Sequence, residues 1–318
     1  MDIIGHKYIF LLFSGVLVCA SIVAFFVWGL KLGIDFTGGS LMELEFNQAR
    51  PSSDEIRKIF DDAGLESVII QPVDTRGMIL RYKYIEENVH QELMQSLSSL
   101  NRGTNDKGES LLFIAPQSSF EKRFDTIGPT IGSELKTRSF MAVGFAVIAI
   151  IIYIAYAFRH VSKPITSWKY GVVAVFTLLH DIAIPIGVFS FLGHYLSVEI
   201  DPLFITALLT IMGFSVHDTI VVFDRIRENL RKLASPEGFD ITVNRSINET
   251  FVRSLNTSLT VLIVLFALYM LGGDTIRYFA LALILGITFG TYSSIFIASP
   301  LLVVWNTIQS KNNLKRRK

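Results

Sequence analysis

Residues 8–30 of this chain read YIFLLFSGVLVCASIVAFFVWGL, a run of 23 residues without a charged side chain. As a helix rising 1.5 Å per residue, such a run crosses a hydrocarbon core of about 30 Å. It is longer than the apolar part of a signal peptide, and no small-residue cleavage site follows it. The run therefore predicts an uncleaved membrane anchor, in which Cys19 faces lipid or a neighbouring helix.

Five further runs have the same character, so the chain is predicted to be a membrane protein with six spans. They are residues 139–158, 170–192, 203–223, 251–271 and 276–305. Of the 318 residues 51% are hydrophobic and 18% charged, and the mean hydropathy is +0.47. Soluble domains carry about 25% charged residues, so a disordered chain and most soluble enzymes are excluded. The net charge of +1 argues against a general nucleic-acid binder, and a single cysteine excludes an internal disulfide.

Lysine and arginine are distributed unevenly around these runs. With the N-terminus inside, the inner segments carry fourteen such residues and the two short outer loops carry one, Arg277. Because positive residues stay in cytoplasmic loops, both termini are expected in the cytoplasm. The predicted parts are residues 1–30 as N-terminal region and first span, 31–138 as a periplasmic domain, 139–305 as a five-span bundle, and 306–318 as a basic cytoplasmic tail that contacts lipid. Binding of the tail to a ribosome or nucleic acid is the weaker alternative.

The periplasmic domain shows the order strand, helix, strand, strand, helix, strand, which predicts a ferredoxin-like α+β fold. Ser52 and Glu55 have the spacing of a capping box at the start of the first helix. His90 falls on the second helix and is expected to be solvated. The predicted strands are residues 41–46, 68–71, 78–84 and 111–115, and the predicted helices are 51–63 and 86–100.

The junction between the first span and this domain contains Asp35 and the glycine pair Gly38-Gly39. Paired glycines permit a tight backbone turn where the helix leaves the membrane. The motif is interpreted either as that turn alone or as a joint that transmits motion to the domain, and the sequence does not decide between them.

Two acidic residues fall inside predicted spans, Asp181 in the third and Asp218 in the fourth. An acidic side chain at bilayer depth costs about 2.5–3.5 kcal/mol, so it must face a partner or water. Such residues mark functional sites by default, and proton transport is the leading option.

An arginine in the fifth span is predicted at the same depth as Asp218. Asp218 precedes Arg225 by seven residues, which puts it roughly 10 Å from the inner face. Ser246 and Glu249 have capping-box spacing, so the fifth helix is expected to start there and to carry Arg253 to a similar depth. Asp218 and Arg253 are therefore predicted to form an ion pair.

Two interpretations of that pair remain open. In one, Asp218 binds and releases a proton, since burial and a nearby arginine have opposite effects on a carboxyl pKa and a small helix movement changes their balance. In the other, the pair is permanent and structural, or Arg253 extends its side chain to the membrane interface. His180 and His217 extend a proton relay or are hydrogen-bonded within the bundle. A metal site is not expected, because adjacent His and Asp residues point about 100° apart on a helix.

Two further features concern packing and energy coupling. Small residues recur every fourth position in the sixth span, a pattern that lets another helix approach closely, in this chain or in another. They are Ala282, Gly286, Gly290 and Ser294. Residues 224–249 predict an amphipathic hairpin at the membrane surface. No phosphate-binding glycine loop occurs in the chain, so ATP hydrolysis is not expected.

Three motifs resemble the SecD/SecF family of bacterial protein-export membrane proteins, on its SecF side. They are residues 33–39 (GIDFTGG), 180–181 (HD) and 216–229 (VHDTIVVFDRIREN). With the glycine-rich sixth span and residues 246–260, the resemblance covers nearly the whole chain. The family belongs to the resistance-nodulation-division-like superfamily, so the expected architecture is a polytopic bundle of six transmembrane helices with the inserted periplasmic domain.

The resemblance implies help for protein export through the SecYEG channel, driven by the proton-motive force in the bacterial inner membrane. It implies a SecD partner that completes a twelve-span unit, exported preproteins as clients, and YajC as a further partner. The family's membrane aspartate and arginine carry over to Asp218 and Arg253, and Asp181 is a less direct addition. No cofactor and no enzymatic reaction are implied. A proton-driven efflux half-transporter and an assembly factor without proton transport remain alternatives.

Overall fold

The computed structural model describes residues 1–47, 49–65, 68–100, 103–104, 110–111, 120–159, 166–232 and 238–315. Within these residues there are ten α-helices and one π-helical turn. In chain order they are α1 (Lys7–Trp28), α2 (Ile34–Thr37), α3 (Ser53–Asp62), α4 (Glu87–Ser98), α5 (Pro129–Ala157), α6 (Ser167–Leu196), α7 (Pro202–Lys232), α8 (Phe239–Leu271), α9 (Asp274–Ser293), the π-helical turn (Ser294–Ala298) and α10 (Ser299–Lys315). Six helical segments are long and apolar enough to cross a membrane, so the predicted six spans are confirmed.

The strands lie between α2 and α5. They are β1 (Gly39–Glu45), β2 (Ile69–Val73), β3 (Gly77–Tyr82), β4 (Gly103–Thr104), β5 (Ser110–Leu111) and β6 (Glu121–Ile127). The chain divides into two units, of which the membrane unit contains Met1–Lys31 and Ser139–Lys318, and the α/β unit contains Leu32–Arg138.

The membrane unit buries α6, α7 and the last span most deeply, whereas α1, α5 and α8 keep most of their side chains exposed. Large apolar side chains fill the centre, among them Tyr170, Met212, Phe223 and Ile247. The exposed faces of α1, α5 and α8 are apolar too, as expected for helices that meet lipid or another chain.

The start of α8 differs from the prediction. The helix begins at Phe239, so Ser246 lies in its interior and does not cap its N-terminus. The Ser246 hydroxyl donates to the carbonyl of Thr242 at 2.8 Å and accepts a hydrogen bond from Asn229 of α7 at 3.0 Å. Because Ser246 bonds to its own helix and to α7, it is not needed to cap a helix start, and α8 continues past it toward Phe239. Residues 233–237 of the predicted hairpin and 316–318 of the basic tail lie outside the described residues.

The α/β unit has a four-stranded antiparallel sheet in the order β2-β3-β1-β6, with α3 and α4 between strands as in a ferredoxin-like fold. The predicted capping box is confirmed, because the Ser52 hydroxyl accepts from the Glu55 backbone and the Glu55 carboxylate accepts from the Ser52 backbone. The fold class was predicted correctly, but the fourth strand of the sheet was not. That strand is β6, whereas Ser110–Leu111 pairs with Gly103–Thr104, and residues 112–119 lie outside the described residues.

The prediction that His90 is solvated is wrong. Its ring is 3% exposed and stacks on Phe124 of β6 at 3.8 Å between ring centroids. Its Nε2 atom lies 3.3 Å from Oε1 of Glu121, also on β6. The misplaced fourth strand explains the error, because β6 covers the face of α4 that the sequence pattern leaves open.

Candidate functional site

Asp218 lies inside the membrane unit, on the most continuously buried face of α7. Buried residues recur there three and four positions apart, and Ser215, Asp218 and Val222 are among them. The Asp218 side chain is 7% exposed in this chain. Ser254 of α8 donates a hydrogen bond to Oδ1 at 2.7 Å, and Ser294 of the π-helical turn donates one to Oδ2. Two segments, α8 and the π-helical turn, therefore hold one carboxylate of α7 with hydroxyl groups.

The structure does not bring Arg253 to Asp218. Arg253 is exposed on α8, and the next residue, Ser254, points to the carboxylate in its place. Consecutive helical residues point about 100° apart, so the two cannot both face α7. The depth estimate for Arg253 assumed a helix start near residue 247, and the start at Phe239 removes that assumption.

Arg253 lines a cavity of about 440 Å³ between the polar ends of α7 and α8. Charged side chains surround this cavity, and Arg225 connects two of them. Its Nε donates to Glu249 at 2.6 Å and its terminal nitrogen donates to Glu228 at 2.7 Å. Ion pairs of Arg225 thus connect α7 to α8 at the predicted surface hairpin, about two helical turns from Asp218.

Asp181 of α6 forms a second carboxylate site and is fully buried. Ser293 donates to its Oδ2 atom at 2.7 Å, and Ser215 of α7 donates to the same oxygen. The Nδ1 atom of His180 lies 2.8 Å from Oδ1. Among the described residues, no lysine or arginine forms an ion pair with Asp181 or Asp218.

The two histidines named as relay candidates have different surroundings. His180 is buried beside Asp181, and its Nε2 atom has no hydrogen-bond partner in the described part of the chain. His217 is exposed on the surface of α7. The described residues contain no cluster of three metal-ligating side chains.

The small-residue stripe of the last span packs against α7 of this same chain. A Cβ atom at Gly286 would lie 2.2 Å from Cγ1 of Ile211, so any side chain there would have to displace Ile211. A Cβ atom at Gly290 would lie 3.4 Å from Ser215 and 3.7 Å from Oδ2 of Asp181. The stripe therefore brings the backbone of α9 close to the carboxylates, and Ser294 at its end donates directly to Asp218.

The serine ligands were not recognised in the sequence. Ser215, Ser254 and Ser293 carry no charge and interrupt the apolar pattern only slightly. A signal was nevertheless available, because two adjacent hydroxyls at residues 293–294 stand in a mostly apolar span, where polar groups need partners. The π-helical turn beside them is a second signal, visible only in three dimensions, since such turns are frequent at functional sites.

The junction glycines are sterically required. Gly38 has φ +71°, and a Cβ atom there would lie 2.7 Å from Cα of Pro129. Gly39 has φ +130°, and its Cβ would lie 2.9 Å from the carbonyl oxygen of Tyr82. Asp35 sits in the short helix α2 just before this turn.

Comparisons with known proteins agree on one family. Residues 109–308 match the family described as protein export membrane protein SecD/SecF, C-terminal, and residues 23–49, which include the junction glycines, match the SecD/SecF GG motif. The protein translocase subunit SecF of Thermobaculum terrenum is 42% identical over 96% of this chain and 94% of its own length. That of Anaerolinea thermophila is 38% identical over 99% and 97%.

Solved structures show the same likeness. The crystal structure of SecDF, a translocon-associated membrane protein from Thermus thermophilus, aligns with a TM-score of 0.77 and 33% identity over 96% of this chain. SecDF in a super-membrane-facing form aligns with a TM-score of 0.66 and 31% identity over 99% of this chain. The chain spans 39% and 40% of those longer chains. This multi-pass membrane protein belongs to the SecD/SecF protein-export family, and within it to the SecF-type translocase subunits.

Proposed function

We propose that this chain uses the proton-motive force to assist protein export, with Asp218 as the carboxylate that binds and releases the proton. The observation that carries the proposal is the surroundings of Asp218. A buried carboxylate in a membrane bundle has hydroxyl donors from two segments and no cation partner among the described residues. Such a group can exchange a proton without first breaking an ion pair.

Arg253 has a role in another step of the same cycle. Its Cα atom lies one peptide, about 3.8 Å, from that of Ser254, which holds Asp218 here. A rotation of α8 about its axis by the angle between consecutive residues, about 100°, would exchange the hydroxyl for the guanidinium and favour the ionised carboxylate. Asp181 is a second carboxylate of the same pathway, with His180 as its neighbour.

The relatives and the charge distribution support the proposed assembly. The SecDF chains are more than twice as long as this chain, so a SecD-type subunit is the expected partner. Fourteen positive residues on one side of the spans and one on the other favour cytoplasmic termini and a periplasmic α/β unit. The SecYEG channel, exported preproteins and YajC complete the proposed partners.

The test is gradient-dependent export into inverted membrane vesicles that contain the translocon, the SecD partner and this chain. Asp218→Asn keeps the shape of the side chain and removes its titration, so it is expected to abolish the part of export that depends on the proton gradient. Asp240→Asn is the matched control, since Asp240 is an exposed aspartate on α8. Full gradient-dependent export by Asp218→Asn would refute the proposal.

A further inference from the structure

Two consecutive serines contact the two buried carboxylates. Ser293 donates to Asp181 at 2.7 Å, and Ser294 donates to Asp218. Neighbouring helical residues point about 100° apart, which lets this one turn reach both α6 and α7. Both serines are completely buried, so the hydrogen bonds are not exchanged with water.

Each serine also has a second acceptor. The Ser293 hydroxyl lies 3.0 Å from the carbonyl of Gly290, and the Ser294 hydroxyl lies 2.9 Å from the carbonyl of Thr291. A hydroxyl has one hydrogen and donates to one acceptor at a time. An ionised carboxylate is the stronger acceptor and takes that hydrogen. When the carboxyl oxygen that faces the serine carries the proton, it donates this hydrogen to the serine oxygen, and the serine hydrogen then turns to the helix carbonyl.

The carbonyl of Gly290 connects the two serines. It accepts the backbone N–H of Ser294 and lies within reach of the Ser293 hydroxyl. Oδ1 of Asp181 faces His180, and Oδ2 is shared by Ser215 and Ser293. When a proton on Oδ2 is donated to the Ser293 oxygen, the Ser293 hydrogen turns to the Gly290 carbonyl and competes with the Ser294 N–H for it. Ser294 begins the π-helical turn, where the regular backbone hydrogen bonding is already altered. Proton binding at Asp181 thus weakens the backbone hydrogen bond of Ser294, the residue that donates to Asp218.

We infer that Ser293 and Ser294 are positioning residues that couple proton binding at Asp181 to proton binding at Asp218 through the carbonyl of Gly290. The inference rests on the proposed function for its use in transport. His180 on α6 contacts Asp181, and His217 lies beside Asp218 in sequence on α7. Arg253 on α8 is exposed and precedes Ser254, and residues 280–298 carry no charge. Direct repulsion between the carboxylates also couples them, so the test must separate the two routes.

The experiment is an infrared pH titration of the purified full chain in lipid nanodiscs. The C=O stretching band of a protonated carboxyl group is followed, and Asp218→Asn assigns the band of Asp218. We expect Asp181→Asn to shift the midpoint of the Asp218 band by about half a pH unit or more, the size of one net hydrogen bond. In a Ser293→Ala background this shift is expected to fall by at least half, although Ser293 does not touch Asp218.

Two further variants test whether the hydroxyl itself is responsible. Ser293→Thr keeps the hydroxyl and is expected to keep the coupling. Ser190→Ala removes a buried hydroxyl on α6 that bonds to its own helix, at 2.9 Å from the carbonyl of Ile186, and is expected to change nothing.

Three results would overturn the inference. They are the absence of any shift in Asp181→Asn, an equal shift with and without the Ser293 hydroxyl, and a loss of coupling in Ser293→Thr. The titration requires no transport. Gradient-dependent export by Asp218→Asn would therefore refute the proposed function without affecting the coupling measured by infrared titration.

Discussion

Gly187→Ala tests the packing of α1 against α6. A Cβ atom at Gly187 would lie 2.4 Å from Cα and Cβ of Ser21, whereas carbon atoms in contact are about 3.5–4.0 Å apart. Because Cα of Ser21 belongs to the backbone, no change of side-chain rotamer relieves the clash. The two helices must separate by about 1 Å or more, and overpacking of this kind costs about 1–3 kcal/mol.

The matched control is Gly144→Ala on α5, where an added Cβ meets nothing within 4 Å. Alanine is favoured over glycine in a helix by about 1 kcal/mol at either position, and this gain cancels in the comparison. The difference in unfolding free energy between the two variants is therefore expected to be about 1–3 kcal/mol, with Gly187→Ala the less stable.

Trp28 provides the assay because it packs on α6. Its indole ring stacks on His194 at 5.3 Å and meets Phe191 edge-on at 5.8 Å. With Trp168 and Trp305 replaced by Phe in all variants, fluorescence during unfolding in mixed detergent micelles reports Trp28 alone. Equal unfolding midpoints for Gly187→Ala and Gly144→Ala would refute the close approach of α1 and α6.

Two further predictions concern the α/β unit, and hydrogen exchange of the full chain measures both. Gly38→Ala forces an alanine to adopt φ +71° and places its Cβ atom 2.7 Å from Cα of Pro129. Amide exchange in β1 and β6 is therefore expected to accelerate. Unchanged exchange would contradict the steric argument. Burial raises the pKa of Glu121, so the folded unit binds more protons and loses stability as the pH rises above the ordinary value of 4.5. Glu121→Gln removes this pH-dependent loss of stability. In the variant, the α4 amides should exchange more slowly than in the unchanged chain at pH 8, and at the same rate at pH 4. The same difference in exchange at both pH values would contradict the raised pKa of Glu121.

Local signals predicted most of the fold. The six spans follow from charge-free length, and α3 follows from a capping box whose hydrogen bonds are all within four residues. The strand β6 was missed because Glu121–Ile127 is largely charged, and it is held in the sheet by backbone pairing with β1. Only the pairing with β1 distinguishes β6 from a loop. Because the prediction lacked β6, it also placed His90 in solvent.

The candidate site was predicted in part for the same reason. Asp181 and Asp218 were recognised because charge in an apolar span is locally visible. Their ligands were not, since Ser254 and Ser293 act through contacts between segments far apart in the chain. The spacing of Ser246 and Glu249 gave a wrong prediction of the helix start. The pattern resembles a cap, but Ser246 lies inside α8 and is hydrogen-bonded by Asn229 of α7.

The polypeptide enters and leaves the α/β sheet at the same end. Gly39 at the start of β1 pairs with Ile127 at the end of β6, and just beyond this rung a Cβ atom at Gly132 would lie 2.7 Å from the backbone nitrogen of Gly38. In mechanical terms, antiparallel strands pulled apart at one end are loaded one rung at a time, as in unzipping. A force that displaces both connections together leaves the ladder unloaded. A joint displacement of the two connections is therefore expected to leave the sheet intact, whereas their separation is expected to open it from this end.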